Sequence, residues 1–508
     1  MVDLKAKPFY LSDSDVEWVQ ETIRGMTLEE KIGQLFIMLD RKKDKEETKR
    51  IFDTYHIGGC RYQNEPAEKI YEQNKYYQEC SKIPVLIACN CDNGGSGACS
   101  DGTHIATAAA CGASEGSDVA YDVGYVSGRE GTAVGCSWDY GPVCDLLFNW
   151  RNTIVNTRAY GKDVDAVIAN CRAYIKGVEE SGMAACCKHF PGDGVEELDQ
   201  HLVMGVNTFS CEEWDATFGK VYKTLIDDGI RSIMAGHIAL PAYSRKLRPG
   251  IKDEDIMPAT LAPELLTDLL RGRLGYNGLI LTDASHMAGM TCAMPRSQQV
   301  PRAIAAGCDM FLFFNDIEED FGYMMAGYKS GIITEERLND ALMRILGLKA
   351  SLKLHEKKKN GTLISSKEAL KVIGCEEHRK LAEKAADRSI TLVKDTKHVL
   401  PISPKTHKRV CAFVISSPPI SRKNRPDPVK EVVREELEKA GYDVHMHESY
   451  YDLILKEGIS LETELKSVVI GKVEEFKKKY DAVFVFINMK GYAQENNVRL
   501  SWSIGHSV

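Results

Sequence analysis

The stretch MAACCKHFPGDGVEELDQH, residues 183–201, passes from an apolar, strand-like approach into a loop crowded with ionisable side chains. Lys188 and His189 stand where the apolar run stops. Phe190, Pro191, Gly192 and Gly194 then force a change of direction that neither a helix nor a strand accommodates. Polar groups placed at a strand's end face a cleft. Whether other apolar runs in the chain end the same way decides the fold.

Up to residue 314 there are about eight such runs, centred near Phe36, Ile57, Leu86, Cys136, Ala184, Ile233, Leu279 and Phe311. Each is followed by glycine or polar residues, and most are separated by helical patterns. Repeated strand-then-helix order implies parallel strands, and eight units imply a (β/α)8 barrel of TIM type, whose active face is the C-terminal end of its strands. Chemistry-bearing side chains should then fall just after the runs. VLIACNCDNGG (85–95) ends in Cys91, Asp92 and Asn93, and the fourth run leads to Asn156-Thr157-Arg158. The fifth ends in Lys188-His189, RSIMAGHIALP at His237, and GLILTDASHM at Asp283, so polar residues from five strands converge on one pocket. Helices are expected over 13–24 and 28–38, the second opened by the capping box Thr27-Leu28-Glu29-Glu30 and overlapping the first strand.

Composition narrows the function. An apolar fraction of 44% with 27% charged residues is that of a soluble globular protein. The net charge of −8, with no basic stripe interleaved with aromatics, argues against nucleic acid as a partner. The N-terminus lacks a secretory apolar core and no run approaches ~18 apolar residues, so a cytoplasmic protein without a membrane span is expected. The sixteen cysteines, many inside apolar runs, read as reduced buried thiols. Cys89, Cys91 and Cys99 lack zinc-site spacing, and neither a structural metal nor an organic cofactor is expected.

Thirteen residues beyond Lys188 lies His201, and Asp199 precedes it by two, close enough in a bent loop for the carboxylate to orient the imidazole as a general acid/base. Alone, Asp-x-His is usually a turn. Lys-His-Phe-Pro-Gly followed at this spacing by Asp-x-His resembles the signature of family-3 glycoside hydrolases, in the branch that removes N-acetylglucosamine. The resemblance implies that Asp199 and His201 form the acid/base dyad and that Lys188 and His189 hold sugar hydroxyls. Residues 258–283, PATLAPELLTDLLRGRLGYNGLILTD, resemble a second family segment that leads to the nucleophile, here Asp283. A Thr-Asp in that place otherwise reads as a helix cap. NTRAYGKD resembles the family's sugar-binding arginine motif and makes Arg158 a sugar contact. Such a pair of groups works by double displacement, with retention at the anomeric carbon.

Two departures stand out. The branch commonly has Gly-His-Gly where this chain has Gly192-Asp193-Gly194, so Asp193 is expected to alter the loop or the substrate preference. Where members commonly read Asp-Gln-Glu-Gly-Gly-Arg, this chain reads Cys91-Asp92-Asn93-Gly94-Gly95-Ser96, leaving Asp92 to stand in for a sugar-binding Asp. Gly95-Ser96-Gly97-Ala98-Cys99-Ser100 falls short of the dinucleotide pattern, and Asp283, Ser285 and His286 are too close in sequence to form a serine-hydrolase triad.

Residues 303–316 fit the eighth strand, with Asp309 read equally as a brace or a satisfied buried carboxylate, and 335–354 fit a closing amphipathic helix. The barrel is expected to span 1–354, followed by a charged linker over 355–362 and a smaller α/β sandwich domain over 363–508. That domain resembles the second domain of longer family members but carries fewer elements, which implies an incomplete domain or one completed by a second copy in a homodimer. The resulting expectation is a retaining exo-glycosidase that hydrolyses terminal β-linked N-acetylglucosamine from small glycosides. A β-glucosidase-like hydrolase or a glycoside phosphorylase of the same fold, and a catalytically silent sugar-binding protein, remain the alternatives.

Overall fold

The computed structural model describes residues 2–41, 44–416, 428–447 and 473–488, in two compact units, Met1–Ile390 and Thr391–Val508. In the first unit eight short strands carry the apolar runs: β1 (Phe36–Asp40), β2 (Gly59–Tyr62), β3 (Leu86–Cys89), β4 (Trp138–Asp139), β5 (Cys186–Phe190), β6 (Ser232–Ala235), β7 (Leu279–Thr282) and β8 (Phe311–Leu312). Hydrogen bonding runs β8-β1-β2-β3-β4 in one arc and β5-β6-β7 in another, all pairs parallel. Single parallel bridges, Trp138 to Ala184 and Leu281 to Met310, join the arcs and close the ring in chain order. This is the expected barrel. Strands buried on both faces carry no alternation, which is why LIAC, SIMA and LILT read as unbroken apolar runs.

The structure departs from the sequence reading at several boundaries. The helix expected over 28–38 stops at Gly33, because Phe36–Asp40 pairs with β2 and β8; its capping box is present, Thr27 Oγ1 accepting from the Glu30 amide. The fourth strand sits at Trp138–Asp139, two residues beyond its expected centre. A further parallel pair, Gly205-Val206 with Ile238-Ala239, ties the loop after β5 to the loop after β6. Among the described residues no helix is long and apolar enough to cross a membrane. All sixteen cysteines are unpaired.

The charged segment 355–362 is not a linker here. Helix Leu354–Lys359 follows the closing helix Glu335–Ser351, Leu354 is buried, and His355 stacks on Trp18 with ring centroids 4.5 Å apart. Lys358 spans the surface to donate to the Gln78 carbonyl at 3.0 Å. The division between units falls instead after Ile390. Helix Glu376–Ser389 is held to the first unit by the fully buried Glu130, which accepts from the Thr103 amide (2.8 Å), the Thr103 hydroxyl (2.7 Å), the Gly374 amide (3.0 Å) and His378 Nδ1 (2.6 Å). Glu130→Ala strands four buried donors and is expected to cost about 3–5 kcal/mol of stability, read from a denaturant midpoint. A change within 0.5 kcal/mol would mean that the segment 363–390 is not anchored in this way.

In the second unit the strand Arg409–Ser416 lies between parallel strands Asp443–Met446 and Ala482–Asn488, with helices Pro428–Lys439 and Val473–Lys479. The apolar run at residues 390–393 forms no strand. The stretch 501–508 lies outside the described residues.

Candidate active site

Barrel closure brings the ends of all eight strands to one cavity of about 630 Å³. Arg158, Lys188, His189, His201 and Asp283 all line it, together with Asn90, Tyr140, Arg61, Tyr62, Met234, His286 and Phe313. Lys188 and His189 lie within β5 rather than just past it, since the strand continues to Phe190. Arg158 comes from a single 3-10 turn, Asn156–Arg158, and Asp283 is the first residue after β7.

Asp283 is almost fully buried, and Oδ1 accepts the Ala284 amide at 2.7 Å. Burial alone would raise its pKa, but the imidazoles of His189, His237 and His201 and that amide outweigh it and hold the carboxyl below its ordinary value. It is therefore ionised wherever the protein is folded near neutrality. His237 sits behind it, Nε2 donating to the Ala284 carbonyl (3.0 Å) and Nδ1 facing Thr260 Oγ1 (2.9 Å), its pKa pushed down by burial. That imidazole fixes the loop that carries Asp283.

Asp199 holds His201 through one oxygen: Oδ1 accepts both the His201 amide (2.7 Å) and Nδ1 (2.8 Å). With Nδ1 so engaged, Nε2 is left for the cavity, where it donates when the ring is charged and accepts when it is neutral. Asp199 is buried behind its partner and does not line the cavity, whereas His201 does.

Asp92 also stands behind the wall. Its Oδ2 receives Arg158 Nε at 3.1 Å and its Oδ1 lies 3.0 Å from Lys188 Nζ. Burial opposes its ionisation, but the two cations win and bring its pKa to about 2. One carboxylate between two cations leaves both with spare donors aimed at the cavity. Lys188 Nζ also donates to Asn90 Oδ1 at 2.6 Å, and Asp145 Oδ2 accepts His189 Nδ1 at 2.7 Å. Asp92→Ala leaves the buried Lys188 and the half-buried Arg158 without their shared counter-charge, so a loss of about 3–5 kcal/mol of stability and a raised KM are expected together. An unchanged melting temperature and KM would contradict that pairing role.

Asn90, Asp145 and Tyr140 were not singled out from sequence. Asn90 stands one residue past β3 and carried the same strand-end signal as Asp92.

The site is thus a barrel-mouth pocket with a buried ionised carboxylate, a carboxylate-oriented imidazole and a set of fixed cations. The model of the family described as "Glycosyl hydrolase family 3 N terminal domain" matches residues 27–348. The chain belongs to glycosyl hydrolase family 3.

The family-3 enzyme is 41% identical over 505 residues to the "Beta-N-acetylglucosaminidase/beta-glucosidase" of Cellulomonas fimi, spanning 99% of this chain and 86% of that one. It is 36% identical over 202 residues to the "Beta-hexosaminidase" of Chromobacterium violaceum, 40% of this chain and 53% of that one. Among solved structures, "Beta-glucoside phosphorylase BglX bound to 2FGlc" superposes with a TM-score of 0.90 at 36% identity, covering 99% of this chain and 87% of that one. Family membership makes the chain a glycoside hydrolase, and the second α/β unit follows the family-3 barrel as expected.

Proposed function

We propose that this enzyme is a retaining, exo-acting, cytoplasmic glycosidase that releases terminal β-linked N-acetylglucosamine from small glycosides. The observation that carries the reading is that His201, set by Asp199, and the ionised Asp283 line one cavity although 82 positions separate them. In the first step protonated His201 Nε2 gives its proton to the glycosidic oxygen while Asp283 attacks the anomeric carbon from the opposite face. Asp199 keeps the ring in one orientation and one tautomer through Nδ1. In the second step the now neutral imidazole takes a proton from the acceptor as it displaces Asp283, restoring the original configuration. Arg158, Lys188 and His189 hold sugar hydroxyls, and Asp92 holds Arg158 and Lys188.

A second reading, transfer of a β-glucosyl group to phosphate, is favoured by the acid/base itself. A neutral imidazole does not repel an incoming phosphate as a carboxylate base would, and the 36%-identical structure is titled a β-glucoside phosphorylase. Initial rates on aryl β-N-acetylglucosaminide and aryl β-glucoside, each with and without phosphate, separate the two. Preference for the N-acetylglucosaminide with phosphate-independent turnover supports the first reading. A glucoside preference, or a sugar 1-phosphate as product, overturns it in favour of the second.

A further inference from the structure

The turn Gly192-Asp193-Gly194 is held without slack. Gly192 has φ +121° and Gly194 φ +102°, in the left-handed region that side chains disfavour. A Cβ on Gly192 would fall 2.1 Å from the Phe218 ring, and one on Gly194 would fall 2.2 Å from the Leu146 carbonyl oxygen. Between them the buried Asp193 reaches three loops. Its Oδ1 accepts Asn152 Nδ2 (2.8 Å), from the loop that carries Arg158, and the Gly194 amide (2.6 Å). Its amide donates to Asp145 Oδ1 at 2.8 Å, on the carboxylate that holds His189. Its Oδ2 accepts Gln200 Nε2 at 3.3 Å, and Gln200 stands between Asp199 and His201.

The far side of the Gln200 amide is fixed as well, because Oε1 accepts the His237 backbone amide at 2.9 Å. With its oxygen committed to His237, only its nitrogen is left to face Asp193. The pairing therefore has a polarity: an acceptor is required at Asp193 Oδ2 and a donor at Gln200 Nε2.

We propose that Asp193 and Gln200 are positioning residues whose hydrogen bond fastens the Asp199–His201 segment to the turn at Asp193, itself tied to Asn152 and Asp145, in the register where His201 faces Asp283. The proposal rests on His201 being the general acid. It gives the Asp found in place of the branch's common histidine a specific role: it accepts simultaneously from the Arg158 loop and from the acid/base loop, so that sugar holding and proton delivery share one anchor. Burial, with Asp145 adding to it and the nearby His189 opposing, raises the Asp193 pKa to about 6, which still leaves it ionised and accepting at neutral pH.

Amide–carboxylate exchange tests the polarity. In Asp193→Asn the two donors on Oδ1 keep an oxygen in that place, so the new NH2 faces the Gln200 NH2, donor against donor. In Gln200→Glu a carboxylate faces the Asp193 carboxylate. In the double variant the roles are swapped: the new amide donates to the new carboxylate, whose other oxygen still accepts from His237, and the net charge is that of the parent. Each single variant is expected to lower kcat/KM on a methyl glycoside by roughly 30-fold and on the 2,4-dinitrophenyl glycoside by less than about 3-fold, since only the poor leaving group needs the acid. The double variant is expected to return to within about 3-fold of the parent on both. Single variants that slow both substrates equally, or a double variant no better than the product of the singles, overturn the proposal. His201→Ala, assayed alongside, distinguishes the two levels: leaving-group dependence there but not in the single variants removes the Asp193–Gln200 anchor alone, and its absence there removes the acid assignment and the anchor with it.

Discussion

Asp283→Ala is expected to lower kcat/KM by roughly 10⁴-fold or more on every glycoside, with activated and unactivated leaving groups affected alike. The reason is positional. Asp283 is the buried carboxylate at the end of β7, kept ionised by three imidazoles and one backbone amide, and no leaving group compensates for a missing nucleophile. Binding should survive, because Lys188 and His189 reach the cavity from β5 and Arg158 from its own turn, and none depends on Asp283 for its partners. The measurement is initial rates on 2,4-dinitrophenyl and methyl glycosides, with ligand binding followed separately. A loss of less than about 100-fold, or a loss confined to the methyl glycoside, would remove Asp283 as nucleophile.

His201→Ala should behave differently, with a fall of about 10²- to 10⁴-fold on the methyl glycoside and little change in the glycosylation rate of the dinitrophenyl glycoside. Its second step also lacks a base, so the glycosyl-enzyme accumulates. On the activated substrate kcat and KM should then fall together, after a burst of one dinitrophenol per active site. Asp199→Asn should follow the same pattern more weakly, since an amide oxygen can still accept from Nδ1 but no longer with the strength of a carboxylate. Equal losses on both substrates for His201→Ala, without a burst, would contradict its role.

The barrel was legible in the sequence because strands buried on both faces announce themselves as short apolar runs, and because polar residues follow them on the active side. The first strand was blurred for the same reason. FIMLD, at Phe36–Asp40, is too short an apolar run to be told from the end of a helix, and only its pairing with β2 and β8 decides it. Asp199 and His201 could be paired on paper since they are two residues apart. Lys188 with Asn90 and His189 with Asp145 could not, being 98 and 44 residues apart and meeting only when the ring closes. Asp92 was legible as a site residue but not in its position behind the wall, where it pairs Arg158 and Lys188. The run HEKKKNGT read as a solvated linker on charge alone, whereas His355 stacks on Trp18 and Lys358 finds a carbonyl. Charge composition does not reveal that long basic stems are covering a surface.

The account stands on one carboxylate and one imidazole serving a single anomeric carbon in two steps. The most direct measurement is mass spectrometry of the enzyme treated with a 5-fluoro glycosyl fluoride of its preferred sugar, which slows the second step more than the first. The expected result is one sugar per chain, carried by the peptide that contains Asp283, with a longer lifetime in His201→Ala than in the parent. A label on any other residue, or full turnover with no covalent species in either protein, would contradict it.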